Sequence, residues 1–105
     1  MVEKKDKKIK IDPEKRYRLS VFRSNKAITG QIIDEEAGVT LFSGGTDLIK
    51  EKKTPIELAN LAGIALAKKA LDGKVKSIRY DRGKFRYHGR VKAFAEGLRQ
   101  GGLKF

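Results

Sequence analysis

Apolar and polar positions alternate from Tyr17 onward, and this alternation predicts a half-buried β-strand. Its two faces differ in character, with Tyr17, Leu19 and Val21 on one and Arg18, Ser20 and Phe22 on the other. Residues 24–26 (SNK) have turn chemistry, so residues 27–33 are predicted to return as the second strand of a hairpin. The acidic turn at residues 34–38 leads to a third strand over residues 39–42, which completes an antiparallel meander.

A capping box at residues 54–57 (TPIE) predicts a helix after a loop over residues 43–53. The helix should span about residues 55–71 and end at Asp72-Gly73. Its core stripe follows helical spacing and comprises Ile56, Ala59, Gly63, Leu66 and Ala70. Because glycine inside a helix costs about 1 kcal/mol relative to alanine, we expect Gly63 to allow close packing onto the sheet.

Residues 76–81 (KSIRYD) predict a fourth strand, placed after the helix as a right-handed crossover requires. A last helix has its apolar face at Val91, Phe94, Ala95 and Leu98 and ends at Gly101-Gly102. The order β-β-β-α-β-α predicts a single α/β (α+β) domain over residues 17–105, with a mixed, mostly antiparallel sheet and two helices on one face. Residues 1–16 read as a basic arm that is disordered until it binds.

The charge of the chain is uneven along its length. There are 25 Lys and Arg against 13 Asp and Glu, a net charge of +12. Residues 19–73 carry seven of each sign, whereas residues 74–92 carry eight Lys or Arg and a single Asp. This concentration favours a polyanionic partner, and the middle of the chain reads as scaffold.

The absence of cysteine excludes disulfides and thiolate metal sites. No apolar run approaches the roughly 18 residues of a transmembrane helix, and the charged N-terminus resembles neither a signal nor a transit peptide. We therefore expect a cytoplasmic protein without membrane association.

The segment 81–92 (DRGKFRYHGRVK) is the strongest candidate site. Five cations and the only histidine are interleaved with two aromatic residues, at the start of a predicted helix whose amides can also receive phosphate. The candidate phosphate ligands are Arg82, Lys84, Arg86, Arg90 and Lys92, and the candidates for stacking or ribose contacts are Phe85, Tyr87 and His88. RNA is the polyanion that fits both sets of candidates. Gly83 and Gly89 would let the backbone approach it closely. The alternative is a soluble, cation-rich loop without a partner.

The first hairpin supplies a second group of candidates on its polar face and tip. These are Arg16, Arg18, Ser20, Phe22, Arg23, Ser24, Asn25 and Lys26. An aromatic side chain on the solvent side of a strand often serves a partner, which makes Phe22 the informative member of this group. The alternative is that all of them are ordinary strand and turn residues.

Enzymatic chemistry has weaker support. His88 has no acid nearby in the sequence except Asp81, which adjoins Arg82, so we expect an RNA-contacting or structural histidine. The acids Asp34, Glu35 and Glu36, with Asp47, are the only candidate for a Mg²⁺ site, and a solvated turn explains them more simply. We predict no enzymatic activity, no metal and no cofactor.

Two motifs resemble the family of bacterial large-subunit ribosomal protein eighteen. They are RLSVFRSNK (residues 18–26) followed by QIID, and DRG..RYHGRVKA (residues 81–93) followed by LRQGGLKF. The resemblance runs in register from about Arg18 to Phe105. It implies a structural constituent of the large subunit that binds 5S rRNA and helps attach it to 23S rRNA in the central protuberance. The implied neighbours are both RNAs and large-subunit ribosomal protein five, with the protein a monomer in the cytoplasmic ribosome.

The resemblance also implies that the matching residues of both motifs, Asp81 among them, contact or organise the RNA. Ala27 and Thr29 stand where the family usually has a histidine and an aromatic residue, and Lys84 replaces the second glycine of a pair. The arm is richer in lysine and acid than is typical, so we expect it to contribute less affinity. The alternative function is a non-ribosomal module that binds structured RNA.

Overall fold

The computed structural model describes residues 11–25, 27–46, 49 and 52–105. Lys26 and Asp47, and the first ten residues of the predicted arm, lie outside the described residues. The elements follow the predicted order: β1 (Arg16–Arg23), β2 (Ile28–Asp34), β3 (Val39–Gly45), α1 (Pro55–Asp72), β4 (Ser77–Asp81) and α2 (Gly89–Gln100). No helix in the described part of the chain is long and apolar enough to cross a membrane.

The four strands form one mixed sheet in the order β3-β2-β1-β4. β1 pairs antiparallel with β2 and parallel with β4, and β2 pairs antiparallel with β3. The parallel pair follows from the helical crossover, because α1 carries the chain back to the end of the sheet where β1 begins. The predicted fold class is therefore confirmed.

The alternation in β1 separates the core from an open face. Tyr17, Leu19 and Val21 are buried among helical side chains such as Leu66 and Phe94. The opposite face is half-buried or exposed and carries Arg16, Arg18, Ser20 and Phe22. Register places the corresponding side chains of β2 beside them, since Ser20 faces Gln31 and Phe22 faces Thr29. The predicted outward position of Phe22 is confirmed.

Helix α1 begins as predicted. The Glu57 N–H donates to Thr54 Oγ1 over 3.2 Å, and the Thr54 N–H donates to Glu57 Oε1 over 3.1 Å. The prediction that Ile56 joins the core was wrong, because its position in the first turn leaves it 47% exposed. From Ala59 onward, where the two helices overlap, the predicted core positions of α1 are buried.

Gly63 packs closely, although not against the sheet as predicted. A Cβ at this position would lie 2.3 Å from the Phe94 carbonyl oxygen and 2.9 Å from the Leu98 nitrogen. The contact is therefore between the backbones of α1 and α2, and Gly97 mirrors it against Asn60. Small residues at this crossing let the two helices pack tightly enough to sit together over one side of the sheet.

The predicted loop at residues 43–53 was too long at its start, because β3 continues to Gly45. The Phe42 ring of β3 packs against Gly73, where an added Cβ would lie 2.1 Å from the ring's Cζ. The left-handed backbone conformation after α1 falls on the next residue, Lys74, with φ of 74°. The chain then enters β4, and the Lys104 backbone extends the sheet by pairing with Ser77.

Candidate nucleic-acid interface

The tip of the β1–β2 hairpin and the loop between β4 and α2 meet at one end of the sheet. The Arg90 guanidinium donates from Nη2 to the Ser24 carbonyl oxygen over 2.9 Å and from Nη1 to that of Asn25 over 3.4 Å. The Phe22 and Phe85 rings lie perpendicular with centroids 6.2 Å apart. The two candidate groups, more than 50 residues apart in sequence, therefore form one surface.

Asp81 holds the start of the β4–α2 loop. Its Oδ1 accepts from the Gly83 N–H over 2.9 Å, and its Oδ2 accepts from Arg18 Nε over 2.8 Å. The hydrogen bond from Arg18, followed by that from Gly83, lowers the pKa of Asp81 below its usual range. The same contact raises the pKa of Arg18. Arg18, predicted as an RNA ligand, is thus already bound to a carboxylate in the free protein.

The two glycines of the loop are required by the backbone. Gly83 and Gly89 have φ of 57° and 58°, a region that costs other residues about 1 kcal/mol or more. A Cβ at Gly83 would meet nothing within 4 Å, so the conformation, rather than space, selects glycine there. Gly83 makes the turn after Asp81, and Gly89 redirects the chain into α2.

Five cations gather around this junction, and we call them the cationic end: Arg23, Arg82, Lys84, Arg86 and Arg90. Within the described ranges none of the five forms an ion pair with a carboxylate. Arg82 donates to the Phe85 carbonyl oxygen over 2.8 Å, and Arg23 lies over the Phe85 ring at 5.4 Å. These contacts orient the guanidinium groups without neutralising them. Lys92, by contrast, approaches Glu96 at 4.0 Å.

A groove of about 400 Å³ opens within the cationic end. It is lined by Arg23, Lys84, Phe85, Arg86 and His88. His88 is the N-cap residue of α2, its side chain makes no capping hydrogen bond, and the first turn contains no acid. The helix dipole and the first amides of α2 therefore add to the positive potential beside the groove.

The opposite end of the hairpin is electrically balanced by the acidic turn, which we define as Asp34, Glu35 and Glu36. Glu35 pairs with Arg79 at 3.0 Å and lies 3.7 Å from Arg18, while Glu36 pairs with Lys15 at 2.8 Å. The hydrogen bond from Lys15 to Glu36 raises the pKa of Lys15. Asp34 is buried and accepts from the Glu36 and Ala37 amides.

No group of three or more metal-ligating side chains occurs among the residues that the structure describes. Of the acids that suggested a Mg²⁺ site, Glu35 and Glu36 pair with cations and Asp34 holds its own turn. His88 lies at the far end of the sheet from them, as the strand register requires.

Sequence reasoning missed a support behind the loop. Arg99 Nη1 donates to the Tyr87 hydroxyl over 3.2 Å, and the Arg99 guanidinium lies 4.3 Å from the centroid of the Phe105 ring. Phe105 stacks on Tyr80, whose hydroxyl donates to the Val91 carbonyl oxygen over 2.7 Å. Burial raises the pKa of Tyr80, which keeps this donor protonated. In the sequence, Tyr80, Phe105 and Arg99 belong to no motif that would have indicated this support.

Comparison with known proteins agrees with this arrangement. A family profile described as "Ribosomal L18 of archaea, bacteria, mitochondria and chloroplast" matches residues 3–105. The chain belongs to the ribosomal L18 family. A large ribosomal subunit protein uL18 from Thermus thermophilus is 56% identical over 90 residues, which cover 86% of this chain and 80% of the relative. The uL18 protein of Staphylococcus aureus strain JH9 is 51% identical over 90 residues, covering 84% and 76%.

Family membership settles the general function. The chain is a structural protein of the large ribosomal subunit, located in the cytoplasmic ribosome, and is not an enzyme. It favours the ribosomal interpretation over the alternative of a non-ribosomal RNA-binding module. The roles of the individual candidate RNA-binding residues remain predictions.

Proposed function

We propose that this L18-family protein binds 5S rRNA through the cationic end and helps attach it to 23S rRNA in the central protuberance. The observation that carries the proposal is that five cations, none of them ion-paired with a carboxylate of the described residues, converge beside two contacting aromatic rings. RNA supplies both complementary features, since its phosphates neutralise the cations and its bases and riboses meet the rings.

Whether a cation is paired with a carboxylate before RNA binds decides how much that cation contributes to the binding free energy. A cation that gains a phosphate without losing a carboxylate releases condensed counterions at little internal cost. Guanidinium groups also form two parallel hydrogen bonds to a phosphate, and four of the five cations are arginines. The cationic end is therefore the surface with the largest expected electrostatic gain.

In the proposal, the other predicted RNA ligands support the cationic end from neighbouring positions. Ser24 and Asn25 present the hairpin tip, which Arg90 ties to the loop. Arg16 is exposed at the start of the open face, and Ser20 is half-buried within it. Arg18 organises the loop through Asp81, and Lys92 follows the first turn of α2. Lys26 and the basic arm are further RNA ligands in the proposal.

A binding series over increasing salt tests the proposal. With wild-type protein and 5S rRNA, log K should fall against log salt with a slope of about −4 or steeper, because about five phosphates are neutralised. Random duplex RNA of equal length should bind much more weakly at each salt concentration. A flat salt dependence, or equal affinity for both RNAs, would exclude 5S rRNA recognition by this surface.

The proposed place in the subunit has a separate test. If the protein joins 5S rRNA to 23S rRNA beside ribosomal protein five, stripping 5S rRNA from purified large subunits should release this protein in the same fraction. Retention of the protein on particles that have lost 5S rRNA would contradict the attachment role while leaving 5S rRNA binding intact.

A further inference from the structure

The open face of the sheet carries an aromatic ring that the fold does not need. Phe22 is 63% exposed, the most exposed large apolar side chain among the described residues. Its one ring contact is perpendicular, to Phe85, and such a contact covers at most one face of the Phe22 ring. Its neighbour on the adjacent strand is Thr29, whose short side chain cannot take the place of a second aromatic ring beside Phe22.

The groove of the cationic end adjoins this ring. Phe85 contacts Phe22 and also lines the groove, together with Arg23, Lys84 and Arg86. In the part of the chain covered by the structure, these three cations form no ion pair. An anion-binding groove and an exposed aromatic ring thus lie side by side, linked by the contact between Phe85 and Phe22.

The combination matches a particular form of RNA. In a duplex the faces of the bases are covered by their neighbours, so an exposed protein ring has nothing to stack upon. An unpaired nucleotide offers both a free base face and a phosphate one nucleotide unit away. We infer that the protein takes one unpaired nucleotide of its RNA, with the phosphate in the groove and the base stacked on Phe22. This inference rests on the proposed function.

Polar side chains beside the platform suit the edge of such a base. Gln31 is exposed on β2 directly across from Ser20, one position along the open face from the pair formed by Phe22 and Thr29. An amide both donates and accepts hydrogen bonds, so Gln31 can read a base edge that projects past the ring. Stacking supplies affinity for any base, and Gln31 supplies the preference among bases.

The experiment compares Phe22→Leu with Phe22→Tyr in the full chain. The probes are 5S rRNA, which contains unpaired nucleotides, and a fully paired RNA duplex of equal length. Phe22→Leu should weaken 5S rRNA binding by about 5- to 150-fold, the range for loss of one stacked base. It should leave duplex binding and the salt slope unchanged, because no charge is removed. Phe22→Tyr keeps the ring and should retain wild-type affinity.

A spectroscopic readout separates stacking from other losses. 5S rRNA with 2-aminopurine at successive unpaired positions should show quenching at one position with wild type and with Phe22→Tyr, and none there with Phe22→Leu. Equal losses on both probes, or unchanged 5S rRNA binding by Phe22→Leu, would overturn the inference. Failure of wild type to prefer 5S rRNA over duplex would instead overturn the proposed function. Because Phe22 is exposed, circular dichroism should confirm an intact fold in each variant.

Discussion

Both ends of the first hairpin carry cations, and the ends differ in what those cations contact. At the acidic turn, Lys15 and Arg79 each lie within 3.0 Å of a glutamate. At the cationic end, Arg23 and Arg86 have no carboxylate partner within the described ranges. A count of basic residues does not reveal this difference in pairing, from which we expect different capacities for binding phosphate at the two ends.

This difference indicates that ion pairing with carboxylates, and not charge alone, distinguishes the candidate interface from the other end of the hairpin. Exposed ion pairs contribute little to stability, generally below about 1 kcal/mol, so the ion pairs of Glu35 and Glu36 do little to hold the fold. The carboxylates of the acidic turn do compete with phosphate for the same cations. Under the proposed function we therefore expect the acidic turn to confine strong RNA binding to one end of the sheet, which would favour one orientation of the protein on RNA.

The largest expected effect comes from removing charge at the cationic end. The double substitution Arg23→Gln with Arg86→Gln should weaken 5S rRNA binding by about 100-fold and make the salt slope shallower by about 2, since two phosphate contacts are lost. Glutamine keeps much of each side chain's length and hydrogen bonding. Filter binding at several salt concentrations measures both quantities.

The matched control removes the same charge from the other end. Lys15→Gln with Arg79→Gln leaves an identical net charge, yet should lower affinity by only about 2-fold because these cations are already paired. Similar losses in the two double variants would show that total charge sets the affinity, and the contrast between the ends would then have no functional meaning.

Lys74 lies away from both the cationic end and the acidic turn. It tests whether a positive charge can be removed without loss of RNA affinity. Lys74 holds a left-handed conformation after α1, with φ of 74°. Lys74→Gly should relieve about 1–2 kcal/mol of strain against a smaller entropic cost, a net gain of about 0.5–1 kcal/mol. Urea unfolding measures the gain, and 5S rRNA affinity should stay within 2-fold of wild type.

Lys74→Ala is the companion variant, since it removes the same charge and keeps the strain. It should show unchanged stability and unchanged RNA affinity. A fall in affinity with both variants would extend the binding surface to the end of α1. Equal stability of the two variants would mean that the backbone conformation at this position costs nothing.

The fold was largely predictable because its signals are local. Alternation in β1, the capping box of Thr54 and Glu57, and the apolar stripe of α2 each specify an element within a few residues. Partner choice between elements is not local. Gly63 was expected against the sheet and lies against α2, because a glycine in a helix shows that something comes close without showing what.

The same limit applied to the candidate site. The clustering of Arg82, Lys84 and Arg86 was visible in the sequence, since they are neighbours in the chain. That Phe22 touches Phe85, and that Arg18 is bound by Asp81, depends on strand register across more than 60 residues. Sequence reasoning therefore identified which residue types form the surface, and the structure distinguishes the paired from the unpaired.

The smallest predicted effect comes from releasing cations at the acidic turn. Glu35→Gln removes the carboxylate shared by Arg79 and Arg18, so these side chains become more available to phosphate. We expect affinity for random duplex RNA to rise about 3-fold and the salt slope to steepen by up to about 1, whereas 5S rRNA preference falls. Glu14→Gln is the matched control, because it raises net charge equally and its exposed carboxylate forms no ion pair with any described residue. An equal rise for both variants would attribute the effect to net charge. A rise confined to Glu35→Gln would show that the acidic turn limits binding to the wrong RNA by occupying specific cations.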